Sequence, residues 1–593
     1  MTITFELCDS LTKVVPAETP RRNDAALSGL IGETLSFQTA WLDTMPRAAR
    51  SQITVTVTPV FTDADSVPGG ASEGVPGGVV TSESVAAFHV GLVPANLPAP
   101  DVPDDGYFTT TPTLLPDPLE ELSLSRTKAG HTAVVQSAHR GWNSLWWDIE
   151  AMPGLVGIEI QGAIRTRHGH FLSPETEVVW NERLDVVVKN RHLPKPRLHN
   201  IQWFHADSIA NYYGVEPWSE EHWQAVRAHM ESCARMRVNT ILTPVWTPPL
   251  DVAPGIYRRN VQLLDISERA GTYHFDFTKL DRWLELLLEA GLTDVEVPHL
   301  FTQWGAHACP RFWISSDDQG GTAADGRGGV AADGPRNEPQ PRFGWDVAAT
   351  SAEYHDFLAQ LIPALREHLN EKVGEDHVWY HVSDEPEAEH YSSYKEARDS
   401  VVALLDGAQL IDALGDPDFQ NLVQTPIVAS DAIPRFRERG INPTWVYYCV
   451  AQDLGVANRF LAQRPNRHRA LGFQLYQGQA VGFLHWAFNF YNTQYSLRAL
   501  DPYRDTSAGG GFYSGDAFVV YPLPGGQVME SLRHRMLRAA FDDLAVCQLA
   551  EEMVGREAVL DIINPDRDLD YNSGWVSEAE LLRRRAALDA LIS

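Results

Sequence analysis

Apolar and polar positions along the chain follow two regimes, with a change near residue 195. Before it, short runs alternate or stay apolar over strand length: GETLSFQTAWL (32–42), QITVTVTPV (52–60), AAFHVGLVP (86–94), HTAVVQSA (131–138), SLWWDIEAMP (144–153), GIEIQGAI (157–164) and LDVVVKN (184–190). Turns rich in Pro, Gly, Asp and Ser separate them, and this spacing predicts an N-terminal β-sandwich over 1–195 rather than βαβ units. VPGGASEGVPGG (67–78) reads as an exposed loop within it, and LPKPRLHN (193–200) as the linker that follows.

Beyond the linker, strand-like runs alternate with amphipathic segments. IQWFHAD (201–207) is the first strand; Ser219 then opens a helix that carries Trp223, Val226, Met230 and Cys233 on one face. NTILTPVW (239–246) is the second strand, followed by Leu280, Trp283, Leu284, Leu287 and Leu288 at helical spacing up to Gly291. DVEVPHLFTQW (294–304) is the third, and a helix through Tyr354, Phe357, Leu358, Leu361 and Leu365 carries Pro363, which should kink it. VWYHVSDEP (378–386) supplies the fourth. A helix over 389–406, the run QNLVQTPIV, a short helix at 432–439, TWVYYCV (444–450), AVGFLHWAFNF (480–490), DAFVVYP (516–522) and a helix from Val528 to Val554 complete the pattern. Close to eight βα units predict an α/β fold, a (β/α)8 barrel over 196–555, with a charged helical extension over 556–593. The glycine-rich insertion 305–345, containing GGTAADGRGGVAADGP, reads as a loop and, because it follows a strand, as a candidate lid.

Composition narrows the function classes. A chain of 593 residues suits two or three domains. A net charge of −30 argues against nucleic acid or an anionic membrane as partner and fits a neutral substrate, a small oligosaccharide or glycoside; a homo-oligomer stays open. The N-terminal stretch shows no basic region followed by an apolar run, and no eighteen-residue apolar span occurs, so a cytoplasmic protein is expected. The cysteines, Cys8, Cys233, Cys309, Cys449 and Cys547, are far apart and lack CxxC spacing, which disfavours both a disulfide framework and a zinc site.

The adjacent carboxylates Asp384 and Glu385 stand where the fourth strand opens into a loop, because Pro386 biases the residue before it away from the helical region. In an α/β barrel that is the catalytic rim. Other strand ends add His205 and Asp207, Trp246, His299, Gln303 and Trp304, Tyr447 and Tyr448, and Trp486 and Asn489. Carboxylates, indole rings and amide or imidazole donors together are what a sugar site needs. His205, Asp207, His299 and His381 are conceivable metal ligands, but no HExxH-type spacing supports a metal, and no GxGxxG after a strand, Walker A motif or GxSxG elbow appears, so no cofactor is expected.

The stretches SLWWDIEAMPGLVGIEI, WFHADSIANYYGVEPWSEEHW, ILTPVWTPPLD, HLFTQWGAHACP, HVSDEP, WVYYC, GFLHWAFNFYN and SGDAFVVYP with ESLRHRMLRAAFDDL resemble, in order from about 140 to 550, the domain of unknown function 4091, the catalytic module of glycoside hydrolase family 123. The resemblance implies a β-sandwich before a (β/α)8 barrel, β-N-acetylgalactosaminidase activity, and Asp384 and Glu385 as the catalytic pair. The glycine-rich tract and the lack of an export signal depart from that pattern.

Adjacency constrains the chemistry. Ordinary retaining glycosidases set two carboxylates about 5–5.5 Å apart across the scissile bond. Neighbouring residues suit substrate assistance, in which the sugar's 2-acetamido oxygen attacks, Asp384 stabilises the oxazolinium and Glu385 serves as acid and base. Tyr447 is then the candidate to steady the acetamide oxygen and Trp486 the sugar platform. Two alternatives stand beside this: a glycosidase for another sugar pairing Glu385 with Asp207 or Glu296, and a non-catalytic carbohydrate-binding barrel.

Overall fold

The computed structural model describes residues 3–45, 50–62, 84–127, 130–168, 171–316 and 339–592. The loop expected at 67–78 and residues 317–338 of the glycine-rich insertion lie outside the described residues.

The N-terminal region is two facing sheets. One holds Thr4–Asp9, Thr34–Asp43, Gly141–Glu150, Val85–Ala95 and Thr113–Glu121 in that spatial order; the other holds Leu27–Ile31, Glu177–His192, Leu155–Arg165, Gln52–Phe61, Gly130–Gln136 and Ser125–Thr127. Alternation makes the core: Ile53, Val55 and Val57 point inward from one sheet and meet Phe37, Trp41 and Trp147 of the other, all fully buried.

Eight parallel strands then close into a barrel: β1 (His199–Gln202), β2 (Thr240–Leu242), β3 (Asp294–Glu296), β4 (Val378–Tyr380), β5 (Gln409–Leu414), β6 (Thr425–Ala429), β7 (Trp445–Tyr447) and β8 (Gly482–His485). β8 closes on β1 with Gly482 opposite His199. Around it lie α1 (Ala206–Tyr213), α2 (Glu220–Arg235), α3 (Thr278–Glu289), α4 (Ala352–Val373), α5 (Tyr391–Val401), α6 (Ile433–Glu438), α7 (Pro465–Gln477) and α8 (Leu532–Val554), followed by α9 (Arg556–Ile563) and α10 (Glu578–Leu591). The Ser219 hydroxyl caps α2 by accepting from the His222 N–H, as its position before an acidic first turn predicts. α7 and α8 approach so closely that a Cβ on Gly472 would lie 1.9 Å from the Ala540 carbonyl oxygen.

Several elements differ from the pattern read in the sequence. β1 stops at Gln202, and Ala206 already begins α1. α4 runs through Pro363 without a break. The run QLIDAL is a barrel strand, β5, that periodicity passes over because its interior position is Asp412, a buried carboxylate. DAFVVYP, counted in its place, lies outside the barrel: Val520–Pro522 pairs antiparallel with Val528–Glu530, and α8 begins only at Leu532. No helix among the described residues is long and apolar enough to cross a membrane.

Buried ion pairs join the sandwich to the barrel's outer helices. Arg533 of α8 reaches both oxygens of Asp117, at 3.0 and 2.8 Å, and the Tyr521 hydroxyl donates to Asp117 at 2.6 Å. Arg535 pairs with Asp148 at 2.9 Å, and Arg585 of α10 with Glu33 at 2.7 Å. Removing one partner of such a pair strands the other charge away from water. Asp117→Ala is therefore expected to cost about 3–5 kcal/mol, seen as a lowered unfolding midpoint in denaturant. Asp185→Ala, which frees an exposed partner of Arg183, is expected to change it by less than about 1 kcal/mol.

Candidate active site

At the C-terminal rim of the barrel a cavity of about 170 Å³ is lined by side chains at the end of, or following, every strand except β6. Trp203 and His205 come from β1, Leu250 and Asp251 from β2, Gln303 and Trp304 from β3, and Asp384 and Glu385 from β4. Ala413 is next to last in β5; Tyr447 ends β7, with Cys449 and Val450 after it; Leu484, Trp486, Gln494 and Phe512 belong to β8 and its long loop. Parallel strands send all their C-terminal ends to one face, which is why residues far apart in sequence meet here.

Glu385 is held by the Tyr447 hydroxyl, which donates to Oε1 at 2.6 Å, with the Cys449 thiol 3.8 Å from the same oxygen. Its backbone φ is +41°, in the left-handed region that a non-glycine residue seldom enters. Pro386 thus pushes it out of the right-handed helical region, as the sequence predicts, but into a strained conformation rather than an extended one. Trp304 N–H donates to the Asp384 carbonyl at 3.0 Å, and no group among the described residues donates to the Asp384 carboxylate. Burial raises the pKa of both acids. For Asp384 the Glu385 carboxylate pushes it higher still, well above the usual range, while for Glu385 the donors Tyr447 and Cys449 act against burial.

Beneath the pair lies a buried polar network. His381 Nε2 is 2.5 Å from Glu296 Oε1 of β3, and Nδ1 is 3.2 Å from Asp412 Oδ1 of β5. Burial alone would lower the pKa of this imidazole; Glu296 and Asp412 overturn that and raise it to about 9. Glu296 also accepts from Trp203 Nε1 at 2.8 Å, and Asp412 from the Val382 N–H at 3.0 Å and from the Tyr394 hydroxyl. Ligand atoms of His299, His381 and Asp412 come within 4.8 Å of one another. The arrangement suits a metal poorly. The two rings stack at 4.2 Å and 27°, so their in-plane lone pairs run side by side instead of converging, and both His381 nitrogens are engaged by carboxylates.

Of the residues singled out in the sequence, His205, Gln303, Trp304, Asp384, Glu385, Tyr447 and Trp486 line this cavity. Both nitrogens of His205 are taken, however: Nδ1 accepts from Arg258 at 2.8 Å, so Nε2 carries the proton and donates to the Trp486 carbonyl at 3.0 Å. Burial, then Arg258, lowers its pKa to about 3 and keeps it neutral. Asp207, Trp246, His299 and Asn489 are not in the lining. Asp207 is locked against Arg258 with both side chains 1% exposed. Trp246 donates to the His299 carbonyl at 3.2 Å, His299 packs under Trp203, and Asn489 accepts the His205 N–H at 2.9 Å. These four support the wall from behind. Asp251, Cys449, Gln494 and Phe512 were not anticipated. Asp251 and Cys449 close the stretches ILTPVWTPPLD and WVYYC and follow strands, a signal that could have found them; Gln494 and Phe512 sit in a loop without periodicity.

A larger cavity, about 560 Å³, opens between the sandwich, α8 and α10, but most of its arginines are ion-paired and it lies apart from the paired acids. The family model "Glycoside hydrolase 123, catalytic domain" matches residues 203–550. Curated protein sequences give no match. Among solved structures, a family 123 glycoside hydrolase from Clostridium perfringens, analysed for glycolipid glycan hydrolysis, aligns over 100% of this chain and 97% of its own at TM-score 0.67 and 12% identity, a likeness of fold. The pilus backbone protein RrgB of Streptococcus pneumoniae aligns over 35% of this chain and 38% of its own at 10% identity, and its TM-score of 0.14 carries no argument. The sequence match spans more than half of the chain and contains the paired acids and the walls around them, and the chain therefore belongs to glycoside hydrolase family 123.

Proposed function

We propose that the chain is a retaining exo-β-N-acetylhexosaminidase, preferring N-acetylgalactosamine, that works through the substrate's own 2-acetamido group. The observation that carries this reading is the state of the carboxylates. Asp384 and Glu385 share one wall as neighbours, while Asp207 and Glu296, the separate partners a conventional mechanism would use, are bound to Arg258 and to His381 with Trp203. Asp251, the remaining carboxylate of the cavity, is on the loop after β2 rather than that after β4. The cavity is also small beside the ~300–1,000 Å³ of sites for drug-sized ligands, which suits one terminal sugar.

The pair titrates as a unit. Without substrate, Tyr447 and Cys449 favour charge on Glu385, and burial favours a proton on Asp384. An acetamide N–H donated to Asp384 reverses this, so that Asp384 ionises and Glu385 carries the proton. The acetamide oxygen then attacks the anomeric carbon, the glycosidic bond breaks, and the leaving oxygen takes the proton of Glu385. Asp384 stabilises the oxazolinium; Tyr447, released from Glu385, steadies the acetamide oxygen; Trp486 supports the ring. Glu385 next removes a proton from water, which opens the oxazolinium at the anomeric carbon with retention. The substrate is a small oligosaccharide or glycoside. Five free, buried thiols fit a cytoplasmic setting.

Aryl β-glycosides with and without the 2-acetamido group test the reading. Turnover is expected for the acetamido sugars and at least ~10²-fold less for a plain aryl β-galactoside; Glu385→Gln and Asp384→Asn are each expected to lower kcat by about 10²–10⁴. Equal turnover of the plain galactoside would sink substrate assistance. Azide rescue of Asp384→Asn would indicate an enzymic nucleophile, and binding without turnover of any glycoside a non-catalytic barrel.

A second expectation concerns His381, whose positive charge favours the ionised form of Asp384. Its pKa rises from 6.5 to about 9 on folding, so its stabilising contribution is complete below about pH 6.5 and is lost as pH climbs through 9. Unfolding free energy is expected to fall by on the order of 3 kcal/mol between pH 7 and 10, and His381→Gln to remove that slope. An unchanged slope in the variant would place the titrating group elsewhere.

A further inference from the structure

Asp251 is the one cavity carboxylate that the reaction above does not use. Its backbone φ of +46° is held by three contacts: its N–H donates to Gln303 Oε1, its carbonyl accepts from the Ser496 hydroxyl at 2.8 Å, and its Oδ2 accepts the Tyr495 N–H at 3.1 Å. Loops after β2, β3 and β8 therefore converge to fix one side chain. Among the described residues nothing donates to Oδ1, and the residue is only partly buried where it lines the cavity. Its charged neighbours are Arg258, which follows β2, and Asp516, which follows β8, whereas those of Asp384 are Glu385, His381, Asp412 and Glu296. The two carboxylates thus reach the cavity on loops that follow different strands, β2 and β4.

A rigid acceptor with one free oxygen, carried on a different loop from the acid that protonates the leaving group, is suited to reading hydroxyls rather than breaking bonds. We infer that Asp251 is a specificity-determining residue that accepts hydrogen bonds from ring hydroxyls of the terminal sugar remote from the scissile bond, at O3, O4 or O6. This rests on the glycosidase reading above and extends it to the part of the sugar that is selected. Burial raises the Asp251 pKa to about 6, against the Tyr495 N–H and Arg258, so the acceptor is charged above that pH and is lost below it.

The test uses the full chain, wild type and Asp251→Asn, with an aryl 2-acetamido-2-deoxy-β-galactoside and its 3-, 4- and 6-deoxy analogues. Asparagine keeps an oxygen for the Tyr495 N–H, and an unchanged melting midpoint confirms the fold. Wild type is expected to reject at least one deoxy analogue by about 10²-fold in kcat/KM. Asp251→Asn is expected to lose about 10–10²-fold on the parent, chiefly through KM, and little on that analogue. The wild-type KM is expected to rise below about pH 6, and that rise to vanish in the variant. Equal losses on the parent and all three analogues would overturn the inference while leaving the glycosidase reading intact. Azide rescue of Asp251→Asn would overturn it in favour of an enzymic nucleophile. A wild type that cleaves no glycoside would remove the glycosidase reading and this inference together.

Discussion

The charge on His381 is the constraint on which the site depends. An imidazolium sealed inside a barrel is unfavourable unless it is paired and hydrogen-bonded, and here two carboxylates from the strands on either side of β4 meet its two nitrogens. The same carboxylates hold other parts of the site. Glu296 fixes the Trp203 indole that forms one wall, and Asp412 takes the Val382 N–H two residues before Asp384. Ordering the charge therefore orders β1, β3, β4 and β5 at the depth where the acids emerge.

Above this base the loops are strained. Asp251, Trp304 and Glu385 line the cavity with φ values of +46°, +57° and +41°. Each such residue costs on the order of 1–3 kcal/mol and persists only where its surroundings over-determine it. The hydrogen bonds that do so are on view: the Asp251 N–H to Gln303, the Trp304 N–H to the Asp384 carbonyl, the Tyr447 hydroxyl to Glu385. Carboxylates placed on rigid, strained backbone keep the fixed positions that the proposed binding and proton transfer require.

The sequence made the fold legible where elements are long and one-sided. The sandwich strands alternate, α2 announces itself through Ser219 and its apolar stripe, and VWYHVSDEP marks β4 by its apolar run and its acids. It failed at β5, because Asp412 is a charged residue facing inward and its partners, His381 and Tyr394, come from other segments. The same reason accounts for Asp207 and His299. A polar residue near a strand end gives no sign of whether it faces a cavity or an arginine behind the wall, and in Asp207 the arginine decides. Within one sequence, type and spacing select candidates; only long-range pairing distributes them between lining and support.

Gln494 and Phe512 show why part of the site has no local signature. They belong to the stretch between β8 and α8, whose shape is imposed by the sandwich. Ser514 and Leu97 exchange hydrogen bonds at 2.8 and 3.1 Å, the Thr506 hydroxyl donates to the Pro94 carbonyl at 2.5 Å, and Asp117 takes Arg533 at the start of α8. Val93, Ala95 and Leu115 of the sandwich pack in one apolar cluster with Phe490, Phe512, Phe518 and Tyr521. A loop this long loses much conformational freedom when it orders, and its own few apolar contacts would not offset that loss. The sandwich supplies the missing surface. It is thus a structural part of the rim cavity, acting through the wall that bears Trp486 and Phe512, although none of its described residues lines that cavity.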